Sequence, residues 1–320
     1  MDNYPISGKS LEKFYRVNGD LLVQQYKKHL SDYSSWEPLS HADQWLIFPG
    51  NLGPRLSIDE SSLSRGELYT IVTNKDGHGG KGTLVAIIKG VKAVEVSTIS
   101  RKLPRKARHQ VQEITLDMSS AMHAIARECF PNAEQVIDRF HVQKLACDAL
   151  QELRIEHRWE AINEETNEME KARLEGKKYR ARKFRNGETR KEILFRSRSL
   201  LFKEPVAWSV NQRKRASMLF ELHPDMQKAF ALVQRLRRIY SSCKSVPGAR
   251  LKLALWYNQV NEAGFHSFNS VAASVFAHST RILNFFNNRS TNASAESFNA
   301  KLKAFRAQFR GVLRSEERRV

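Results

Sequence analysis

The chain has 320 residues, enough for one large domain or two ordinary ones, and its 41% apolar content supports a sizeable core. No apolar run approaches the roughly 20 residues that span a bilayer. The opening Met1-Asp2-Asn3-Tyr4-Pro5 lacks the basic stretch and apolar core of a secretory signal, so the sequence reads as cytoplasmic.

Charge points to a class of partner. There are 53 Lys and Arg against 34 Asp and Glu, a formal net charge of +19 and a pI near 10.0. Such an excess favours a polyanion, nucleic acid first, although charge alone leaves a merely basic soluble protein open. Cys129, Cys147 and Cys243 are far apart and form no C-x-x-C pair. A zinc knuckle is therefore not expected, and each reads as a small buried apolar residue.

Along the chain, residues 1–54 read as a mixed arm, with Leu21, Leu22, Tyr26 and Leu30 at helical spacing and punctuation at Pro49-Gly50 and Gly53-Pro54. A β-rich section follows. Leu56–Asp59, Leu68–Thr73 and Thr83–Ile88 are strand candidates, joined by short connections that suggest an antiparallel meander. The glycine-rich loop Gly77–Gly82 lacks the spacing of a P-loop and reads as a hairpin loop. Val96, Ile99 and Leu103 fit a helix, although Val94 and Val96 equally fit an extension of the strand, and a basic stretch runs from Arg101 to Arg108. Glu113–Asp117 reads as a buried strand ending in an acid. Ser119 or Ser120 is placed to cap the helix Ala121–Cys129. Val136-Ile137-Asp138 is a further short strand, and a long helix starts near Phe140.

Residues 155–285 read as almost wholly helical. Within them, 171–215 holds 16 Lys and Arg and four Asp and Glu, a local net charge of +12, with Tyr179, Phe184, Phe195, Phe202 and Trp208 interleaved. Basic groups release counterions on meeting phosphates and aromatics can stack on bases, although a solvated helical face has the same composition. The last strong helix is Ser294–Phe309, with Phe298, Leu302, Phe305 and Phe309 on one stripe. Strands alternating with helices make a layered α/β domain.

Three acids stand out by position: Asp59 and Asp117 at strand ends, and Glu296 in the first turn of the closing helix. Strand ends hold carboxylates rigidly, and carboxylates suit Mg²⁺, which prefers oxygen. Read from position alone, Glu60, Asp76 and Asp138 compete on equal terms, and a Glu at a helix N-terminus is ordinary dipole complementation. Asp138 and His141 read either as an N-cap with a packed histidine or as a site-lining pair. No serine sits in a nucleophile-elbow context.

The segments Leu56–Glu60, Glu113–Met118, Val136–Leu145, Ile282–Phe286 and above all Asn288–Lys303 resemble bacterial insertion-sequence transposases of the DDE type, in the ISL-three family, nearest its ISAon-one-like Bacteroidetes branch. The resemblance runs from about residue 1 to residue 311. It implies an RNase H-like core, a mixed sheet flanked by helices, with a large helical insertion before the closing helix. The expected division is an arm at 1–54, core at 55–155, a basic helical insertion at 156–285, the closing helix at 286–312 and an atypical tail at 313–320. Asp59, Asp117 and Glu296 are implied as catalytic and metal-binding residues. They would hold two Mg²⁺ ions, with Mn²⁺ able to substitute, and Asp138 and His141 would match an accessory D-x-x-H signature.

The implied activity is cleavage at element ends and 3′-hydroxyl strand transfer into target DNA. The partners would be double-stranded DNA, a second copy of the chain on paired ends, a separate N-terminal recognition protein, and no membrane; DNA binding would draw the protein to the nucleoid. Arg139, Lys177, Lys178, Arg180, Arg182, Lys183, Arg185, Arg289, Lys301 and Lys303 are the expected DNA contacts. Two departures keep other outcomes open: only about 55 residues precede Asp59, and after Val312 the chain does not continue into the family's apolar helix. The alternatives are a catalytically defective DNA-binding remnant or an RNase H-like nuclease that cuts without joining.

Overall fold

The computed structural model describes residues 6–64 and 66–313, without the side chains of residues 63–64 and 306–313. The opening Met1–Pro5, the tail 314–320 and the Phe309 side chain lie outside the described residues. The chain forms two compact units, residues 1–136 with 290–320, and residues 137–289.

In the first unit, two short helices, α1 (Gly8–Tyr15) and α2 (Gly19–Gln25), precede the sheet. The sheet contains β1 (Trp45–Ile47), β2 (Arg55–Ser64), β3 (Glu67–Asn74), β4 (Leu84–Lys89), β5 (Glu113–Leu116) and β6 (Glu134–Ile137), in the spatial order β1-β4-β3-β2-β5-β6. Strands β2, β3 and β4 form the expected antiparallel meander, and β5 joins β2 in parallel. Helices α3 (Ala93–Ser100), α4 (Arg105–His109) and α5 (Ser120–Cys129) fill the crossovers. Edge strand β1, three residues pairing with β4, has no counterpart in the sequence reading. Leaving it aside, three antiparallel strands followed by two more on the far side of β2 make a mixed RNase H-like sheet.

Side-chain alternation gives this sheet two unlike faces. Leu56, Ile58, Val72, Ile114 and Leu116 point to one face and close a dry core with Val96, Leu103, Met122, Ile125, Ala126 and Cys129. Each fully buried aliphatic there contributes about 1.5–3 kcal/mol. Ser57, Asp59, Ser61, Thr115 and Asp117 alternate with them and fall on the other face. Part of the basic stretch 101–108 is structural: buried Arg108 donates to Leu103 O at 3.1 Å and Cys129 O at 2.7 Å, and Arg101 pairs with Glu128 at 2.9 Å.

The second unit is helical: α6 (Arg139–Leu174), α7 (Arg190–Arg196), α8 (Arg198–Leu201), α9 (Val210–Leu222), α10 (Pro224–Ser242), α11 (Val246–Ala263), α12 (His266–Ala277) and α13 (Ser279–Asn288). Capping boxes start α7 at Thr189/Glu192 and α9 at Ser209/Gln212, each satisfying two orphan N–H groups. Buried Leu150, Leu194, Leu219, Val233, Leu236, Trp256, Phe268 and Phe285 supply the core. The chain then returns to the first unit as α14 (Ala293–Leu313).

Candidate active site

Strand β2 runs on to Ser64, so Asp59 stands at mid-strand and not at a strand end. The serine-rich second half has little intrinsic strand preference; antiparallel pairing with β3 holds it. Asp59 does lie where the parallel neighbour β5 stops. Ser57 pairs with Thr115, and two residues further along each chain are Asp59 and Asp117, on the same face of strands that neighbour one another at about 4.8 Å. Asp117 follows β5 directly and accepts the backbone N–H of Ser119 at 2.8 Å. Ser119 is the N-cap of α5 by position, but its side chain makes no capping bond.

The third element is α14. Among its described side chains the buried ones are Ala295 and Asn299, with Asn292 just before the helix and Leu302 half-buried one turn on. This face differs from the phenylalanine stripe: Phe298 is half-buried and Phe305 is exposed. Asn299 Nδ2 donates to Asp59 Oδ2 at 2.6 Å, while the backbone N–H of Glu60 donates to Oδ1 at 2.9 Å. Both oxygens of Asp59 are thus oriented. Glu296 is exposed, in the first turn of α14, three residues before Asn299. Residues three apart on a helix are neighbours, roughly 5–6 Å between Cβ atoms. The residue that holds Asp59 therefore also brings Glu296 to the same side.

Several groups fix α14 to the sheet. Asn292 accepts a hydrogen bond from Ser57 Oγ. Lys75 Nζ, only 10% exposed, donates to Glu113 at 2.9 Å, to Thr115 and to Ser290 at 3.0 Å; Ser290 also donates to Glu113. The glycine-rich loop is the hairpin connection between β3 and β4, and it also seats α14. Gly79 has φ +75 and lies against Ser297 and Ser294, and its carbonyl accepts from Lys301 Nζ at 2.8 Å.

Burial, then the Asp117 and Asp59 carboxylates, push the Glu60 carboxyl above its ordinary range. Glu60 alternates with Asp59 along β2, so it feels these charges from the opposite face of the strand. The all-oxygen donor set and this repulsion fit a divalent cation such as Mg²⁺. Asp76 is drawn instead into a pair with Arg55 at 2.6 Å.

Of the other expected site residues, Asp138 and His141 lie in the second unit. Asp138 is buried and precedes α6 without a capping bond, and His141 Nδ1 is 3.5 Å from its Oδ2. Arg139 is exposed. Lys177, Lys178, Arg180, Arg182, Lys183 and Arg185 lie on the irregular segment between α6 and α7; Arg182 is exposed like the others of this group. Arg289 is taken up structurally. In the left-handed region at φ 53, it donates to Cys243 O at 2.7 Å and Tyr240 O at 2.8 Å and lies over Phe285. Lys303 is exposed on α14. Sequence reasoning did not single out Asn299, Asn292, Ser57, Ser290 or Lys75. Their partners are up to 240 residues away in the chain, and no local pattern marks such pairings.

A mixed RNase H-like sheet with one acid on β2, another just after β5 and a closing helix over them defines an α/β core with a candidate carboxylate site. A family described as transposase, the DDE type of the ISL3 class, matches residues 56–319. The chain belongs to that family. It is 26% identical over 257 residues to the transposase for insertion sequence element IS1557 of Mycobacterium tuberculosis, in strains CDC 1551 / Oshkosh and H37Rv alike. That match covers 78% of this chain and 54% of the relative, so the chain spans about half the length of the curated relatives it matches. No solved structure matches. Among the described residues, no helix is long and apolar enough to cross a membrane.

Proposed function

We propose that the chain carries the catalytic core of a DNA transposase that cuts at the ends of an insertion element and joins the freed 3′-hydroxyl to target DNA. The observation that carries this reading is the convergence of Asp59, Asp117 and the Asn299-bearing turn of α14, which holds Glu296. Asp59, Asp117 and Glu296 would hold the divalent ions, with Glu60 adding to the field. When bound, a pair of Mg²⁺ ions activates the attacking oxygen and stabilises the leaving one.

The protein's own part is positional. Asn299 and the Glu60 N–H fix the Asp59 carboxylate, the Ser119 N–H fixes Asp117, and the anchored α14 fixes Glu296. In the first step water attacks the phosphodiester and a 3′-hydroxyl leaves. In the second that hydroxyl attacks a target phosphodiester, so one bond forms as one breaks and no external energy source is needed. The exposed cations of residues 177–185, with Lys301 and Lys303, would neutralise DNA phosphates.

The test is a strand-transfer assay in Mg²⁺ or Mn²⁺ with pre-cleaved element-end DNA and a plasmid target, comparing wild type with Glu296→Gln. Joined product from wild type alone is the expected result. Cleavage without joining would assign a nuclease, and DNA binding without either reaction would assign a catalytically defective protein.

A further inference from the structure

The second unit holds a cluster that strand transfer does not use. His157 lies in the middle of α6, His223 links α9 to α10, and Asp225 is in the first turn of α10. One ligand atom from each comes within 4.8 Å of the other two, and this is the cluster of its kind among the described residues. His157 Nε2 is 2.5 Å from Asp225 Oδ2, and the two imidazole rings are 4.4 Å apart. His223 is 3% exposed and the His157 side chain 16%, so the site is shielded from water on the histidine side.

The hydrogen bonds narrow what can sit there. Glu160 Oε2, one turn along α6, is 3.0 Å from His157 Nδ1. A carboxylate at Nδ1 draws the proton to that nitrogen and leaves Nε2 as a lone pair, the arrangement that orients a metal-binding histidine. That lone pair faces a carboxylate oxygen. At 2.5 Å the two atoms share a proton; a metal ion in its place, with bonds of about 2.0–2.2 Å, would part them to roughly 3.3 Å. A proton would serve two partners, but His223 brings a third donor atom to the same place. Two imidazoles and one carboxylate are the mixed nitrogen and oxygen set that suits Zn²⁺ in a tetrahedral site, with a fourth position for water or a second acid.

Arg190 is the opposing charge. Its Nε stands 3.4 Å from His223 Nε2, a long contact, and its guanidinium is drawn aside by Glu164 at 2.5 Å and Glu160 at 3.7 Å. Burial opposes a charge on His157, but its hydrogen bonds to Glu160 and Asp225 prevail and raise its pKa, so a divalent ion must displace a proton there; once it has gone, Asp225, Glu160 and Glu164 outnumber Arg190 and leave a local net negative charge.

We propose that His157, His223 and Asp225 form a structural zinc site that ties α6 to the α9–α10 junction, with Glu160 orienting His157. It is separate from the Mg²⁺ chemistry proposed for Asp59, Asp117 and Glu296, and two of its three donors are imidazole nitrogens, which Mg²⁺ disfavours.

The test uses the full chain, stripped with chelator and titrated with Zn²⁺ alone and with Co²⁺ alone. One equivalent of Zn²⁺ should bind, Co²⁺ should give the intense visible bands of a four-coordinate ion, and Zn²⁺ should raise the melting temperature. Asp225→Asn sits at a partly exposed position that can be changed without opening the core, and it should abolish all three signals, as should His157→Gln. Glu160→Gln should weaken Zn²⁺ binding about 10–100-fold. Asp59→Asn should leave the Zn²⁺ signals intact, which separates this site from the carboxylate site. Absence of stoichiometric binding, or binding unchanged in Asp225→Asn and His157→Gln, would overturn the proposal and leave the trio as a proton-bridged clip.

Discussion

Glu188 is a buried acid at the edge of the most basic part of the chain, and its removal should be felt. Its side chain is 6% exposed. It accepts from Arg215 Nη2 at 2.7 Å and Nε at 3.0 Å, from Arg196 at 2.8 Å and from Asn186 at 2.7 Å. The Arg215 hydrogen bonds, then those of Arg196, hold its carboxyl down from 4.5 to about 2. At about 1.36 kcal/mol per tenfold change in proton affinity, that is roughly 3 kcal/mol of preference for the charged form. Arg196 is 51% exposed and its share is screened, so Glu188→Gln should cost about 2–3 kcal/mol.

The sign of the pH dependence follows. Because the folded value lies below the unfolded one, the contribution is complete above about pH 4.5 and is lost as pH falls toward 2. Urea melts of wild type and Glu188→Gln between pH 7 and pH 3 would measure it, with Trp208 and Trp256 fluorescence reporting on the helical unit. The gap between the two proteins should narrow steadily below pH 4.5. A gap independent of pH, or one below about 0.5 kcal/mol at pH 7, would refute the view that this carboxylate is held by its arginines.

Other perturbations test the candidate carboxylate site and the basic segment. Lys75→Met leaves Glu113, 3% exposed, without its cation; breaking a buried pair from one side costs about 3–5 kcal/mol, readable as a lower melting temperature. Asn299→Ala removes the donor to Asp59 Oδ2 and should lower strand transfer about 10–100-fold by loosening an oriented ligand, with the DNA-binding isotherm unchanged. Replacing Lys177, Lys178, Arg180, Lys183 and Arg185 by Gln should weaken DNA binding across sequences. It should also flatten the salt dependence by about 0.9 for each phosphate that is no longer neutralised; a titration at several salt concentrations reads both.

The elements on the dry side of the sheet were legible because burial there is apolar. Leu56, Ile58, Ile114 and Leu116 alternate with polar residues, and that alternation marks a strand with one greasy face. The second half of β2 was not legible, since Ser61, Ser62 and Ser64 carry no strand signal of their own and are held by pairing with β3. Strand β1 is three residues at an edge, shorter than any periodicity can register. Arg289 looked like a phosphate ligand by type, and only the carbonyls of Tyr240 and Cys243 show where its hydrogen bonds go.

The closing helix shows why the candidate site itself resists a hydropathy reading. Hydrophobic periodicity selects Phe298, Leu302, Phe305 and Phe309, yet among the described side chains of α14 Ala295 and Asn299 are the buried ones, while Phe298 and Leu302 are half-buried and Phe305 is exposed. The helix packs on the face of the sheet that carries Ser57, Asp59 and Thr115. A polar face must be met by hydrogen-bonding groups, because an apolar stripe there would cover buried Ser57 and half-buried Asp59 without offering them partners. Asn292 and Asn299 meet that requirement by bonding Ser57 and Asp59. The same two contacts set the rotation of α14 and so the side on which Glu296 emerges. Polar burial on one face of the helix and an exposed acid three residues from Asn299 are therefore a single structural solution. In a helix that closes over carboxylates, the buried asparagines are a better guide to the face turned toward them than the phenylalanines.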